Sequence, residues 1–176
     1  MALYMDFSGT QGAIGFIAEG EPVIPVGVSI DAMPMSVKKK EWDLYQKFAK
    51  ENDVYFLFED DIPVIDFYAV PRVCIAATDM EGGFIASVGD AFSLHDRVPL
   101  VYIAPNLKCF LITQDSTQFL SIVPHWKEQL QPYDGVKLYA SKEAAMVDFP
   151  ITDVIETPEY QNLLKLMNRN KNTRSV

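Results

Sequence analysis

The hydrophobic positions of this chain fall mostly into short β-branched runs broken by turn residues, with helical spacing in only a few segments. Its densest stretch is Ile62 to Ser87, IPVIDFYAVPRVCIAATDMEGGFIAS. Val73–Ala77 and Phe84–Val88 carry side chains that suit a pleated, half-buried surface, and Asp79-Met80-Glu81-Gly82-Gly83 between them supplies turn chemistry, so the pair predicts a hairpin. Val70-Pro71 closes the preceding run, because proline offers no ladder donor; Ile62–Ala69 is expected to be a separate or edge strand, making three consecutive strands the minimum sheet.

The runs Ala13–Ala18 and Val23–Ile30, parted by Glu19-Gly20-Glu21-Pro22, predict a second strand pair, with Pro22 and Pro25 pushing the latter run to an edge. Glycines 9, 12, 15 and 20 lack the strand-to-helix setting of a dinucleotide fingerprint. From Lys39 to Asn52 the period becomes helical. Trp42, Tyr45, Phe48 and Ala49 share one face, and Lys38, Lys39 and Lys40 are expected to sit solvated at or before the helix start, where they oppose its dipole least. Val54–Phe58 is a short apolar and aromatic run that ends in the Glu59-Asp60-Asp61 turn, ahead of the next strand.

Val98–Ile103 and Leu107–Thr113 predict another strand pair around Ala104-Pro105-Asn106. Asp115 or Ser116 can cap a short helix presenting Phe119, Leu120 and Val123. The expected core joins Phe84, Ile85, Val101, Ile103, Phe119 and Leu120. Pro124 ends that helix or starts another through Gln131, and Val136–Ala140 is a late strand. Ser141 caps a helix over Lys142–Asp148. Thr157, Pro158 and Glu159 open a last one carrying Tyr160, Leu163, Leu164 and Met167 along one stripe.

These elements predict an α+β domain, a twisted and mostly antiparallel sheet flanked by helices, over residues 1–167, followed by a basic disordered tail, 168–176. A chain of 176 residues suits one domain and needs no disulfide staple. Cys74 and Cys109 lie in apolar runs without metal or redox spacing and are expected to be buried and inert. No segment has the pattern of a secretory signal or the apolar length of a membrane span, which predicts a cytoplasmic location.

All 24 acidic residues and 12 of the 15 basic ones precede position 168, a net charge of −12 against −9 for the whole chain. Ten acidic residues but only one basic residue, Arg72, fall between Glu51 and Asp96. Nucleic acid is therefore not the expected partner, since phosphate binding needs clustered lysine and arginine. A basic protein is. Glu59, Asp60, Asp61, Asp79 and Glu81 are the candidate partner surface, with Tyr55, Phe67 and Tyr68 as aromatic anchors inside a charged rim. The plainer reading is that acidic residues simply populate strand-connecting turns.

Catalytic chemistry is less well supported. Cys74 with His95, or Cys109 with His125, has the elements of a thiol nucleophile and base but no spacing specific to one. The acidic turns offer oxygen ligands without an EF-hand loop. No catalytic residue, metal or cofactor is assigned. The enzyme alternative is a small-molecule or metal-dependent site using Asp79, Glu81 and His95; a further alternative is a regulatory subunit of a larger assembly.

Three pieces resemble the SUKH superfamily, dominated by bacterial toxin-immunity proteins: Tyr45-Gln-Lys-Phe48 with Asn52 closing the helix; Ile75-Ala-Ala-Thr-Asp79-Met-Glu-Gly82-Gly83-Phe84-Ile85; and Val101-Tyr102-Ile103 with Asp115-Ser116-Thr-Gln-Phe119-Leu120. The sequence departs from that pattern at Thr117, where phenylalanine is expected, and in its N-terminal strands. The resemblance implies a non-enzymatic binding protein that neutralises a toxin, and acidic turns would suit a basic toxin domain.

Overall fold

The hairpin expected around Asp79–Gly83 is the centre of the molecule. The computed structural model describes residues 2–10, 22–89 and 92–173; the strand expected over Ala13–Ala18, its Glu19-Gly20-Glu21 turn, the glycines at 12, 15 and 20, Asp90 and Arg174 lie outside the described residues. In chain order the elements are β1 (Leu3–Asp6), β2 (Val23–Val26), β3 (Val28–Ile30), α1 (Met35–Asn52), β4 (Tyr55–Phe56), β5 (Tyr68–Val70), β6 (Val73–Thr78) and β7 (Phe84–Val88). Then follow β8 (Leu100–Ile103), β9 (Cys109–Thr113), α2 (Phe119–Ile122), β10 (Gln131–Pro132), β11 (Lys137–Tyr139), α3 (Lys142–Asp148), β12 (Ile151–Asp153) and α4 (Pro158–Thr173). The chain is an α+β fold with mixed sheets.

The main sheet has the order β10-β9-β8-β7-β6-β3, with β4 also on β6. All its pairs are antiparallel except β3 with β6. Val73 to Ala77 are all buried, because both faces of the central strands are covered and no polar face is needed. One face packs Ile85, Leu100 and Tyr102 against Phe119, Val123 and Trp126. The other packs Ile75, Val101 and Ile103 against Leu57, Phe67 and Val136.

Between Ile75 and Ala77 the β6–β7 register shifts, leaving Ala76 as a bulge. At this point the outer partner of β6 changes. Val73–Ile75 pair with β3, and Ala77–Thr78 pair with β4. The Ala76 carbonyl accepts the Leu57 N–H at 2.9 Å, carrying the β4 side of the sheet one residue further.

Several expectations need correction. The single expected core is split by the sheet: Ile85 and Phe119 lie on one face, Val101, Ile103 and Phe84 on the other. Leu120 is 62 % exposed, since in so short a helix a residue next to the inward Phe119 points about 100° away from it, whereas Val123, one turn on, faces inward. Of the Ile62–Ala69 run only Tyr68 and Ala69 are in a strand, β5, which pairs with β11 in a separate two-stranded sheet. Residues 62–67 instead pack Phe67 and Ile65 into the core while Ile62 and Val64 face outward.

The N-terminal segment Leu3–Asp6, not expected as a strand, is the middle strand of a parallel sheet ordered β12-β1-β2. Pro25 sits in its edge strand β2, as the missing donor requires. The Ser141 hydroxyl caps α3 by accepting the Ala144 N–H at 3.1 Å. Thr157 does the same for the N–H of Tyr160 at 3.3 Å. The helix α4 continues to Thr173, so residues 168–173 of the expected disordered tail are helical. Adding a residue to an established helix costs far less than starting one, and Arg, Lys and Asn there are compatible with it.

Helix α1 begins at Met35, directly after Pro34, rather than at Lys39. This places Lys38 inside the helix, not ahead of it. It is not solvated as expected but pairs with Asp60 at 2.6 Å. The C-terminus is closed by Asp53 in the left-handed region, φ +54°, whose N–H reaches the Ala49 carbonyl at 2.7 Å.

The split core gives a direct test. Phe119→Ala should cost about 3 to 5 kcal/mol in urea unfolding, the range for deleting a buried aromatic. Leu120→Ala should stay within about 0.5 kcal/mol.

Candidate functional site

Asp79 begins the β6–β7 turn, where a short acceptor side chain can satisfy the backbone of the turn itself: its Oδ1 takes the Gly83 N–H at 2.8 Å. Its Oδ2 accepts the Tyr102 hydroxyl at 2.8 Å and faces Lys127 Nζ at 2.8 Å. The carboxylate is fully buried. Lys127 also pairs with Asp53, whose other oxygen accepts the Met80 N–H at 2.9 Å. Immediately before Lys127, the Trp126 indole donates to the Asn52 carbonyl at 2.7 Å, and its ring meets Tyr102 edge-on at 5.3 Å. The end of α1, the hairpin turn, β8 and the Val123–Gln129 helical turn are thus joined by one polar cluster.

Burial alone would raise the Asp79 carboxyl, but the Lys127, Tyr102 and Gly83 donors outweigh it and leave it below the ordinary carboxylate range. The Tyr102 phenol is pushed up by burial and then by Asp79. Asp79 therefore has no oxygen to offer a partner or metal. That corrects its expected role: a turn carboxylate is exposed only when no cation and hydroxyl fold back onto it. Gly83 belongs to the same cluster, since a Cβ there would stand 2.3 Å from the Tyr102 hydroxyl.

A second cluster repeats this chemistry between β1, β5 and α3. Asp6, buried at the end of β1, accepts the Tyr68 hydroxyl at 2.6 Å and the Ser8 N–H at 2.8 Å, and faces Lys142 Nζ at 3.1 Å. Lys142 also pairs with Asp153 of β12. Burial raises the Asp6 carboxyl, and the Ser8, Tyr68 and Lys142 contacts bring it below the usual range. Tyr68 is consequently an internal residue and not an exposed anchor. Phe67 is internal too, packed 5.9 Å from the Phe84 ring. Their alternation within an apolar run gave no sign of which residues would be covered on both faces.

Of the remaining candidates, Glu59, Asp61 and Glu81 are exposed, and Asp60, also exposed, is tied to Lys38. They belong to two different turns. Glu81 lies in the hairpin turn, level with Tyr55, which pairs with Thr78. Glu59–Asp61 follow Phe58, at the far end of the β4 segment, roughly 10 Å of extended chain away.

The helix α1 and the β4 segment form an aromatic slot of about 150 Å³. Trp42, Tyr45, Tyr55, Phe56 and Phe58 line it, with Lys50 at its border. The rings hold one another at edge angles: Tyr45 meets Phe58 at 5.4 Å and 89°, and Trp42 meets Phe58 at 5.6 Å and 71°. Lys38 Nζ stands 4.5 Å above Trp42 and 5.6 Å from the Phe58 ring. On the opposite flank of Tyr45 and Phe56 is an apolar groove of about 370 Å³ lined by Phe48, Leu94 and the exposed Leu44 and Leu120. The helical stripe of Trp42, Tyr45 and Phe48 identified the docking face of α1 in the sequence; it did not reveal that the face is incompletely covered.

The enzyme alternative named Asp79, Glu81 and His95. Asp79 is enclosed, Glu81 is at an exposed turn, and His95 is exposed on another segment. Among the described residues, no group of three or more His, Cys, Asp or Glu side chains is placed to hold a metal ion. Burial pushes the Cys74 thiol up and the Cys109 thiol up to about 12, so neither has thiolate character at neutral pH. Exposed His125 lies 3.5 Å from Glu128. Among the described residues, no helix is long and apolar enough to cross a membrane.

Comparison with protein-family models, curated proteins and solved structures finds no match for this chain. The resemblance to the SUKH superfamily rests on its three motif pieces alone, and those pieces contribute Asn52, Asp79, Gly83 and Tyr102 to a single cluster.

Because the Asp79 and Asp6 carboxyls are lowered on folding, their stabilising contribution is fully present above the unfolded carboxyl value of about 3.9 and is lost as pH falls through their folded values. Unfolding free energy should therefore drop on acidification below about pH 4. Asp79→Ala should cost about 3 kcal/mol near neutral pH, the lower end for opening a buried pair, since Lys127 keeps Asp53. Its acid sensitivity should be smaller than that of the unchanged protein, which urea titrations across the pH range would measure.

Proposed function

We propose that this protein is a non-enzymatic binding module that engages a basic protein through the α1–β4 face, in the manner of a cytoplasmic immunity protein that neutralises a toxin. The observation that carries this reading is the aromatic slot between α1 and β4, with exposed Glu59 and Asp61 following Phe58 in the chain and exposed Glu81 in the turn after β6, the strand that pairs with β4. Aromatic side chains inside a charged rim supply buried contact area and steering together. The strongly negative balance of the chain adds a long-range attraction for a basic partner. The motif resemblance to toxin-immunity proteins supports the same class.

The acidic residues act here as a divided rim. Asp79 and Asp60 are excluded from it, the first by burial and the second by its pairing with Lys38. Tyr55 remains the one anticipated aromatic anchor on this face.

Affinity capture from the native cell identifies the partner, and association rates then test the surface. Glu59→Lys with Asp61→Lys should leave folding almost unchanged, because exposed turn charges contribute little. Association at low salt should slow by about tenfold, and the difference from the unchanged protein should shrink at high salt as the charges are screened. An equal rate for the reversed and unchanged proteins at low salt would exclude this surface.

A further inference from the structure

We infer that the slot between α1 and β4 takes one cationic side chain, arginine or lysine, from a basic protein segment; this deepens the binding reading above and rests on it. The slot has room for a single side chain, being well below the several hundred cubic ångströms of an ordinary small-molecule pocket. Five aromatic rings wall it. Ring faces carry negative charge density, and indole attracts a cation most strongly.

The protein already displays this preference internally. Lys38 places its ammonium over Trp42 at 4.5 Å and near Phe58 at 5.6 Å, while Asp60 at 2.6 Å supplies the counter-charge. A cation entering beside Tyr45, Tyr55 and Phe56 meets walls of the same kind, with exposed Glu59 and Asp61 following Phe58 in the chain. Trp42 is 39 % exposed, so its ring is reachable from solvent.

Lys38, already over Trp42 with its charge offset by Asp60, and Lys50 in the slot lining both oppose such a guest, and Lys50 is the exposed one of the two. The Lys50 charge would weaken a cationic ligand and leave a neutral one unaffected, which separates cation recognition from simple apolar binding.

The test is an NMR titration of the full chain with acetyl-Gly-Arg-Gly-amide, using the norleucine peptide as its neutral counterpart. The arginine peptide should shift the Trp42 indole and the Tyr45 and Tyr55 ring signals saturably. The Trp126 indole, enclosed and bonded to Asn52, should stay in place. Lys50→Glu should tighten arginine binding at least threefold, and Trp42→Ala should weaken it at least tenfold. The exposed Lys50 variant keeps the test decisive if loss of Trp42 disturbs folding.

No saturable Trp42 shift up to about 10 mM arginine peptide, weaker than any useful subsite, overturns the inference. So do equal shifts from the norleucine peptide, or an unchanged affinity in Lys50→Glu. If the arginine peptide leaves Trp42 unmoved while Glu59→Lys with Asp61→Lys still slows partner association, this inference alone falls. If the peptide binds but partner association ignores the reversals, the acidic-surface reading falls and the slot remains.

Discussion

A carboxylate withdrawn from water must have its charge and its lone pairs answered on the spot, and Asp79 shows how much of this fold follows from that requirement. Its answers come from Gly83 within the turn, Tyr102 on the neighbouring strand β8 and Lys127 in the Val123–Gln129 helical turn. Lys127 in turn fixes Asp53, and the neighbouring Trp126 holds the Asn52 carbonyl. The far end of α1 is therefore anchored by polar contacts with direction, not by apolar packing alone. The angle at which α1 lies over β4, and so the spacing of Trp42 and Tyr45 from Phe56 and Phe58, depends on that anchor.

Local chemistry was well represented in the sequence. The hairpin turn, the Ser141 and Thr157 caps and the α1 stripe all involve residues within one or two turns of each other, where spacing carries the information. The parallel sheet around Leu3–Asp6 could not be found this way, since its strands come from the two ends of the chain and only β2 lies in an apolar run that marks a strand. Burial on both faces erased the alternation that would have told Phe67 and Tyr68 from surface residues. The Asp79 site was half visible: residue type and turn position marked it as special, but Lys127 is contributed by a distant segment and turns an exposed-looking acid into an internal one.

Charge has a similar division between total and placement. A count of acidic residues between Glu51 and Asp96 treats them alike, whereas the structure assigns them different work. Asp53 and Asp79 share a lysine, Asp60 holds Lys38 against the aromatic wall, and Glu59, Asp61 and Glu81 face solvent. The long-range field depends on all of them, but only the last group is placed to meet another molecule first.

The two buried clusters share a further property through their lysines. Lys127 serves Asp53 and Asp79, and Lys142 serves Asp6 and Asp153. Removing one acid from either set leaves a balanced pair, while removing the lysine leaves two neighbouring negative charges, one of them enclosed. Tolerance to substitution is therefore lopsided within each trio. Sequence drift through this fold can pass by way of the outer acids, Asp53 and Asp153, far more readily than by way of the lysines.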